Sequence, residues 1–99
     1  MYAIIYHEDV KKDIKALGKN IAIQIFKKIE KVAKNPILGD ELGNKANLDL
    51  KGFRKVYVDN KKVRIVYKII DNKIEIFIIA IGKRDDMEVY KKASNRLDG

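Results

Sequence analysis

The chain is predicted to adopt an α+β fold, with an N-terminal strand and a two-helix hairpin packed on an antiparallel sheet and a short C-terminal helix. Three observations predict it. Between Phe53 and Tyr90 stand three runs rich in β-branched and aromatic residues, separated by Asp59-Asn60-Lys61-Lys62 and by Asp71-Asn72. Runs bounded by such turn formers are the signature of an antiparallel meander. Before them, residues 9–34 carry apolar positions at helical rather than alternating spacing, interrupted by Gly18 and stopped by Asn35-Pro36. Beyond the meander, the Asp85 and Glu88 pair has the form of a capping box opening a last helix.

Each element can be justified in turn. Tyr2 to His7 is a short apolar run that cannot close a sheet alone, so it is expected to pair with part of the meander. In residues 9–17, Val10, Ile14 and Leu17 share one helical face, and Gly18 supplies the stop. Asn20 can cap a second helix, in which Ile21, Ile25, Ile29 and Val32 form a stripe flanked by Ala22, Phe26 and Ala33, while Lys27, Lys28, Lys31 and Lys34 face water. Residues 37–49, with Gly39, Gly43 and scattered leucines, read as an irregular connection pinned by Leu38, Leu42, Leu48 and Leu50. In the last helix, Met87, Tyr90, Ser94 and Leu97 are expected to share the packed side.

The turns set the register of the meander. A two-residue loop at Asp71-Asn72 pairs Ile70 with Lys73, and a four-residue loop at residues 59–62 pairs Val58 with Val63. One face then carries Val56, Val58, Val63, Ile65, Tyr67, Ile69, Ile74, Ile76, Ile78 and Ala80, with Arg54 at its margin. This face is dry enough to sit under the two helices. The other face mixes Lys55, Tyr57, Arg64, Val66, Lys68, Glu75, Phe77 and Ile79; it sets Lys68 against Glu75 and Tyr57 against Arg64, and is expected to stay open.

Ninety-nine residues make one domain, residues 1–99, with no room for a separate catalytic one. A net charge of +8 favours an anionic partner such as nucleic acid, and the excess is concentrated in the meander half, which holds 13 basic against 7 acidic residues from Lys51 onward. With no cysteine, disulfides and thiolate metal sites are excluded. There is no signal-peptide pattern at the N-terminus and no apolar run near the length of a bilayer span, so a cytoplasmic protein without a membrane partner is expected.

Few chemistries then remain. His7 is the only histidine, stands at a strand end and reads as structural. No Gly-rich phosphate loop is present, and Ser94, the sole serine, lacks a histidine to activate it. What is left is a cationic cluster with tyrosines: Lys55, Tyr57, Arg64, Arg84 and Tyr90, with Lys83 beside Arg84 and Arg54 beside Lys55. Guanidinium forks suit phosphate oxygens and aromatic rings suit splayed bases, so the cluster fits RNA, by binding or by transfer at phosphorus.

The run Val63-Arg64-Ile65-Val66-Tyr67, followed in order by Ile81-Gly82-Lys83-Arg84 and Glu88-Val89-Tyr90, closely resembles the RelE branch of the RelE/ParE toxin superfamily. The two-helix half with Asn35-Pro36 extends the likeness over nearly the whole chain. The resemblance implies a RelE-like fold and a type II toxin: a ribosome-dependent endoribonuclease that cuts mRNA in the A site by attack of the 2′-hydroxyl on the adjacent phosphate, with no metal or other cofactor. It implies that Arg64 steadies the charged phosphorane, Arg84 assists the leaving 5′-oxygen, Tyr90 orients the nucleotide, and Lys55 helps withdraw the 2′ proton. Arg54, Tyr57 and Lys83 would contact the substrate. The chain departs from the family pattern at Tyr57, which stands where the strand of the family carries a second basic residue. The implied partners are a cognate antitoxin that covers or displaces the helix bearing Tyr90, and the ribosome with its mRNA, approached through the basic surface; DNA would be met only through the antitoxin complex. The alternatives are a ParE-like inhibitor of DNA gyrase and a non-cleaving RNA-binding or ribosome-binding homologue.

Overall fold

The computed structural model describes residues 1–45, 47–83 and 87–98, without the side chains of Lys45, Leu97 and Asp98. Arg84 and the expected capping residue Asp85 therefore lie outside the described residues. Strand β1 (Ala3–Tyr6) leads into helix α1 (Val10–Leu17), and α2 (Lys19–Lys34) follows after Gly18 alone. A 3₁₀ turn at Pro36–Leu38 delivers the chain to β2 (Asp40–Lys45), β3 (Leu48–Val58), β4 (Val63–Ile70) and β5 (Glu75–Lys83), and α3 (Glu88–Asp98) follows. The strands form one sheet in the order β1-β5-β4-β3-β2, with β1 parallel to β5 and the other pairs antiparallel.

The helical half follows its apolar spacing. Val10 of α1 and Ile25, Ile29, Val32 and Ala33 of α2 are buried, on positions that recur every three or four residues. Val10, Ile25, Ile29 and Val32 pack on Val56, Val58, Val63, Ile65, Tyr67, Ile76 and Ile78, the dry face expected of the meander. Each large aliphatic side chain so buried contributes about 1.5–3 kcal/mol. Asn20 does not cap α2. The Gly18 carbonyl already accepts the Ala22 amide at 3.0 Å, so the helix starts at Lys19 and Asn20 falls inside its first turn.

Three features of the sheet differ from expectation. Residues 40–45 form an edge strand paired with β3, not an irregular connection, because the segment doubles back through an irregular register between Glu41 and Gly43 that masks any alternation. The β4–β5 loop spans residues 71–74, not two residues: a 3₁₀ turn at Asp71–Lys73 ends with Ile74 at φ 55°, its amide donating to the Asp71 carbonyl. Ile70 therefore pairs with Glu75, Lys68 faces Phe77 instead of Glu75, and Ile74 is exposed. Finally, a bulge lies in β5 between the pairs Tyr67–Ile78 and Val66–Ala80, which brings Ala80 to the opposite face from the one predicted and sets Arg64 across from Gly82.

Nor is the mixed face left open. Leu42, Leu50, Phe53, Val66, Ile79 and Ala80 form a second apolar cluster there, closed by Val89, Tyr90 and Ala93 of α3. The packed side of α3 is thus Val89-Tyr90-Ala93, and Met87 is exposed. At Gly82 a Cβ would stand only 3.1 Å from the Val89 Cβ, so a glycine opposite Arg64 is what lets α3 come down on the sheet.

A buried tyrosine fixes where β2 begins. Tyr67 donates its hydroxyl to the Pro36 carbonyl at 2.7 Å and accepts the Gly39 amide at 2.9 Å, while Arg54 Nη1 donates to the Gly39 carbonyl at 2.6 Å. Burial pushes the Tyr67 phenol above its ordinary pKa, so it stays a donor. A Cβ on Gly39 would lie 2.6 Å from the Lys55 carbonyl oxygen and 2.7 Å from the Tyr67 hydroxyl. Gly39→Ala is expected to lower stability by about 1–3 kcal/mol, since backbone must move to admit the methyl group; urea unfolding of the two proteins checks this, with an unchanged midpoint counting against the clamp.

Candidate functional site

Alternation along β3 places Lys55 and Tyr57 on the face that α3 covers, and the cross-strand pair Tyr57–Arg64 adds Arg64 to it. Lys55 Nζ donates to the Tyr57 hydroxyl at 2.7 Å and lies 4.8 Å from the centre of the Tyr57 ring. The Arg64 guanidinium carbon sits 4.6 Å from the centre of the Tyr90 ring, a cation–π stack that joins β4 to α3. Arg64 Nε and Nη1 are buried and find no hydrogen-bond partner among the described residues. The Tyr57 phenol is held below its ordinary pKa by hydrogen bonding from Lys55 first of all; burial opposes this, and hydrogen bonding from Arg64 with the charge of both cations adds to it.

A cleft of about 540 Å³ opens beside Tyr57, between α2 and the β3–β4 turn. Lys27, Lys28 and Lys61 line it together with Lys55 and Tyr57, with Asp40 and Asp59 as the opposing carboxylates. A mixed but mainly cationic cleft of this kind suits an anion.

The structure thus gathers four of the residues singled out from the sequence, Lys55, Tyr57, Arg64 and Tyr90. Two others stand elsewhere. Arg54 points to the opposite face, where it pairs with Glu41 Oε1 at 3.1 Å and with Gly39. Lys83 pairs with Val63, a residue of the cluster under α1 and α2, and lines clefts on that side. Arg84 is outside the described residues. His7 is structural, its Nδ1 accepting the Asp9 amide at 3.1 Å at the head of α1.

Sequence reasoning missed the group that holds α3 in place. Asp13 is buried in α1, and its carboxylate accepts Arg96 Nη1 at 2.7 Å and Arg96 Nη2 at 3.0 Å, the Ile81 amide at 3.0 Å, and Lys92 Nζ at 3.4 Å. Arg96 Nη1 also donates to the Ile79 carbonyl at 2.9 Å. The one available signal was a carboxylate set among Val10, Ile14 and Leu17 on the inward stripe. Burial alone would raise the Asp13 pKa, but the hydrogen bonds from Arg96 and Ile81 and the charges of Arg96 and Lys92 outweigh it and bring it below its ordinary value.

Among the described residues the chain is an α+β fold of three helices and one five-stranded sheet, with a cation–tyrosine cluster beneath its last helix. The family model for the ParE toxin of type II toxin-antitoxin systems, parDE, matches residues 4–88. The mRNA interferase toxin RelE of Escherichia coli strain K12 is 31% identical over 99 residues, with 97% of each chain covered. The crystal structure of isolated E. coli RelE superposes with a TM-score of 0.71 at 28% identity, covering 98% of this chain and 99% of that one. RelE in the intact E. coli RelBE toxin-antitoxin complex gives 0.69 at 26% identity, covering 84% and 96%. The chain belongs to the RelE/ParE toxin superfamily and is RelE-like in both sequence and fold.

Removing one partner of a buried ion pair leaves the other charge stranded, so Asp13→Ala is expected to lower stability by about 3–5 kcal/mol at neutral pH. Because the folded pKa of Asp13 is depressed, its contribution is fully present above the unfolded carboxylate value and is lost as pH falls through the folded one. The gap between wild type and variant in urea unfolding should therefore be constant from neutrality to mild acid and close at lower pH. A gap that instead widens in acid would contradict the assignment.

Proposed function

We propose that this protein is a ribosome-dependent endoribonuclease, a RelE-like toxin that cuts mRNA in the A site and is restrained by a cognate antitoxin. The observation that carries this reading is Arg64: a guanidinium braced by Tyr90, with two N–H groups unpartnered among the described residues, beside the hydrogen-bonded Lys55–Tyr57 pair. Buried donors without acceptors are costly to keep and suit an acceptor brought by substrate. A phosphate oxygen is that acceptor.

In this reading the 2′-oxygen attacks the adjacent phosphorus, the bond to the 5′-oxygen breaks, and a 2′,3′-cyclic phosphate and a 5′-hydroxyl result. Arg64 takes up the growing charge on the phosphorane oxygens, where a preorganised donor in a dry site is most effective. Tyr90 turns from Arg64 to the nucleotide as the phosphate enters, since its ring now lies over the guanidinium. Arg84, carried by the sequence resemblance, assists the 5′-oxygen. Aligning attacking oxygen, phosphorus and leaving oxygen supplies much of the remaining acceleration, and the ribosome is the natural source of that alignment. The net charge of +8 draws the protein to ribosomal RNA without reading its sequence. Residues 1–99 act as one domain in the cytoplasm, and the antitoxin is the partner expected to cover the sheet and α3.

Primer extension on mRNA held by programmed ribosomes tests the proposal. Cuts should fall at A-site codons and be lost with Arg84→Ala. Arg64→Met should lower the cleavage rate by about 10²–10³-fold. The same substitution should leave the unfolding midpoint unchanged or raise it, because it removes two buried donors that lack partners. Intact mRNA on ribosomes that demonstrably bind the protein would overturn the nuclease reading. A ParE-like action on DNA gyrase is the second reading, favoured by the matching ParE family model, and it predicts DNA breaks with mRNA intact.

A further inference from the structure

We infer that Tyr57 is the catalytic base for the 2′-hydroxyl, its phenolate oxygen held between Lys55 and Arg64, an inference that rests on the nuclease reading above. Lys55 Nζ is a donor in this site: it gives a hydrogen bond to the Tyr57 hydroxyl oxygen at 2.7 Å. A nitrogen committed as donor is not the atom that accepts the 2′ proton. The oxygen it holds is. Arg64 lies directly across the strand pair from Tyr57 and hydrogen-bonds to its phenol, so cations from β3 and from β4 both act on the same oxygen.

The other phenols set the contrast. Tyr67 is buried and divides its hydroxyl between the Pro36 carbonyl and the Gly39 amide, and burial raises its pKa. Tyr2 is raised by its hydrogen bond to Asp71, and Tyr6 by burial. Of the tyrosines whose acidity the structure shifts, Tyr57 alone becomes more acidic, and it alone stands beside the proposed phosphate site. Among the described residues that line the cleft beside it, the charged groups from other elements are Lys27 and Lys28 of α2, Lys61 and Asp59 of the turn, and Asp40 of β2. The sole histidine is engaged at the head of α1.

The step balances simply. The Tyr57 oxyanion takes the proton of the 2′-hydroxyl as the 2′-oxygen bonds to phosphorus, the bond from phosphorus to the 5′-oxygen breaks, and the departing oxygen takes a proton from solvent, assisted by the charge of Arg84. The phenol then returns its proton to solvent. Lys55 acts as a positioning residue whose hydrogen bond stabilises the oxyanion.

The experiment is a pH–rate profile of single-turnover cleavage on programmed ribosomes for wild type, Tyr57→Phe and a protein with a fluorinated tyrosine at position 57. Alongside it, the ultraviolet phenolate band of wild type and Tyr57→Phe is titrated in the isolated proteins. Tyr57→Phe should cleave about 10²–10⁴-fold more slowly while binding ribosomes equally well, and should lose the limb on which rate rises with pH. The fluorinated residue, whose phenol is more acidic and whose shape is nearly unchanged, should move that limb to lower pH. The difference titration should show a phenol ionising below the range of free tyrosine. A wild type that cleaves, with Tyr57→Phe matching it in rate and profile or the fluorinated protein leaving the limb in place, would overturn this inference alone. A wild type that never cleaves would overturn the nuclease reading and this inference with it.

Discussion

The fold depends on how one edge of β5 is closed. Strand β1 stops at Tyr6, opposite Ile78, so among the described residues the remainder of β5 has no neighbouring strand on that side. Its free backbone groups are met by side chains instead: Asp13 accepts the Ile81 amide, and Arg96 donates to the Ile79 carbonyl. Because Asp13 and Arg96 also hold each other by two hydrogen bonds, closing that edge ties α1, on one face of the sheet, to α3, on the other. Backbone groups buried beside helices must find partners, and here the partners are what orient the last helix.

From that anchor the site follows. Arg96 sits six residues beyond Tyr90 on α3, and with Val89 and Ala93 it defines the inward side of the helix. The helix can approach because Gly82 offers no side chain opposite Arg64. Tyr90 then lands on the guanidinium. The result is a polar group held under an aromatic lid without its full set of hydrogen bonds, a local loss of stability concentrated where the proposed chemistry occurs. The apolar cluster beneath α3 and the polar anchor at Asp13 together attach the helix to the sheet.

The sequence made the face of the site legible but not its cover. The β3–β4 register could be read because a four-residue turn between Val58 and Val63 and alternation on both strands agree, and that register alone brings Lys55, Tyr57 and Arg64 together. The β4–β5 register could not, because Ile74 takes a left-handed conformation that a β-branched residue rarely adopts, and the bulge at Ile79 adds a residue that no alternation pattern signals. Strand β2 was hidden by two glycines and a register shift. The Asp13–Arg96 pair joins residues far apart in the chain, and a lone carboxylate on an apolar stripe does not name its partner. Arg54 and Lys83 were drawn into the cluster by adjacency in sequence, whereas neighbours on a strand face opposite ways.

The spacing of the groups on the sheet is set by the β3–β4 hairpin. Its turn carries three consecutive residues at positive φ, Asp59 at 54°, Asn60 at 54° and Lys61 at 67°. Asp and Asn tolerate this conformation, but a lysine there costs on the order of 1 kcal/mol or more. What the strained turn secures is a fixed pairing of Val58 with Val63, and so of Tyr57 with Arg64 one step further along. A slip by one residue would send Arg64 to the opposite face and leave Tyr57 without its cross-strand cation. The separation between the group that would withdraw a proton and the group that would receive the phosphate charge is therefore set by backbone hydrogen bonds within one hairpin. Tyr90 reaches the same site from a separate helix, so under the proposed function the work is divided between a hydrogen-bonded pair of strands that sets this separation and a ring on α3 that substrate would displace.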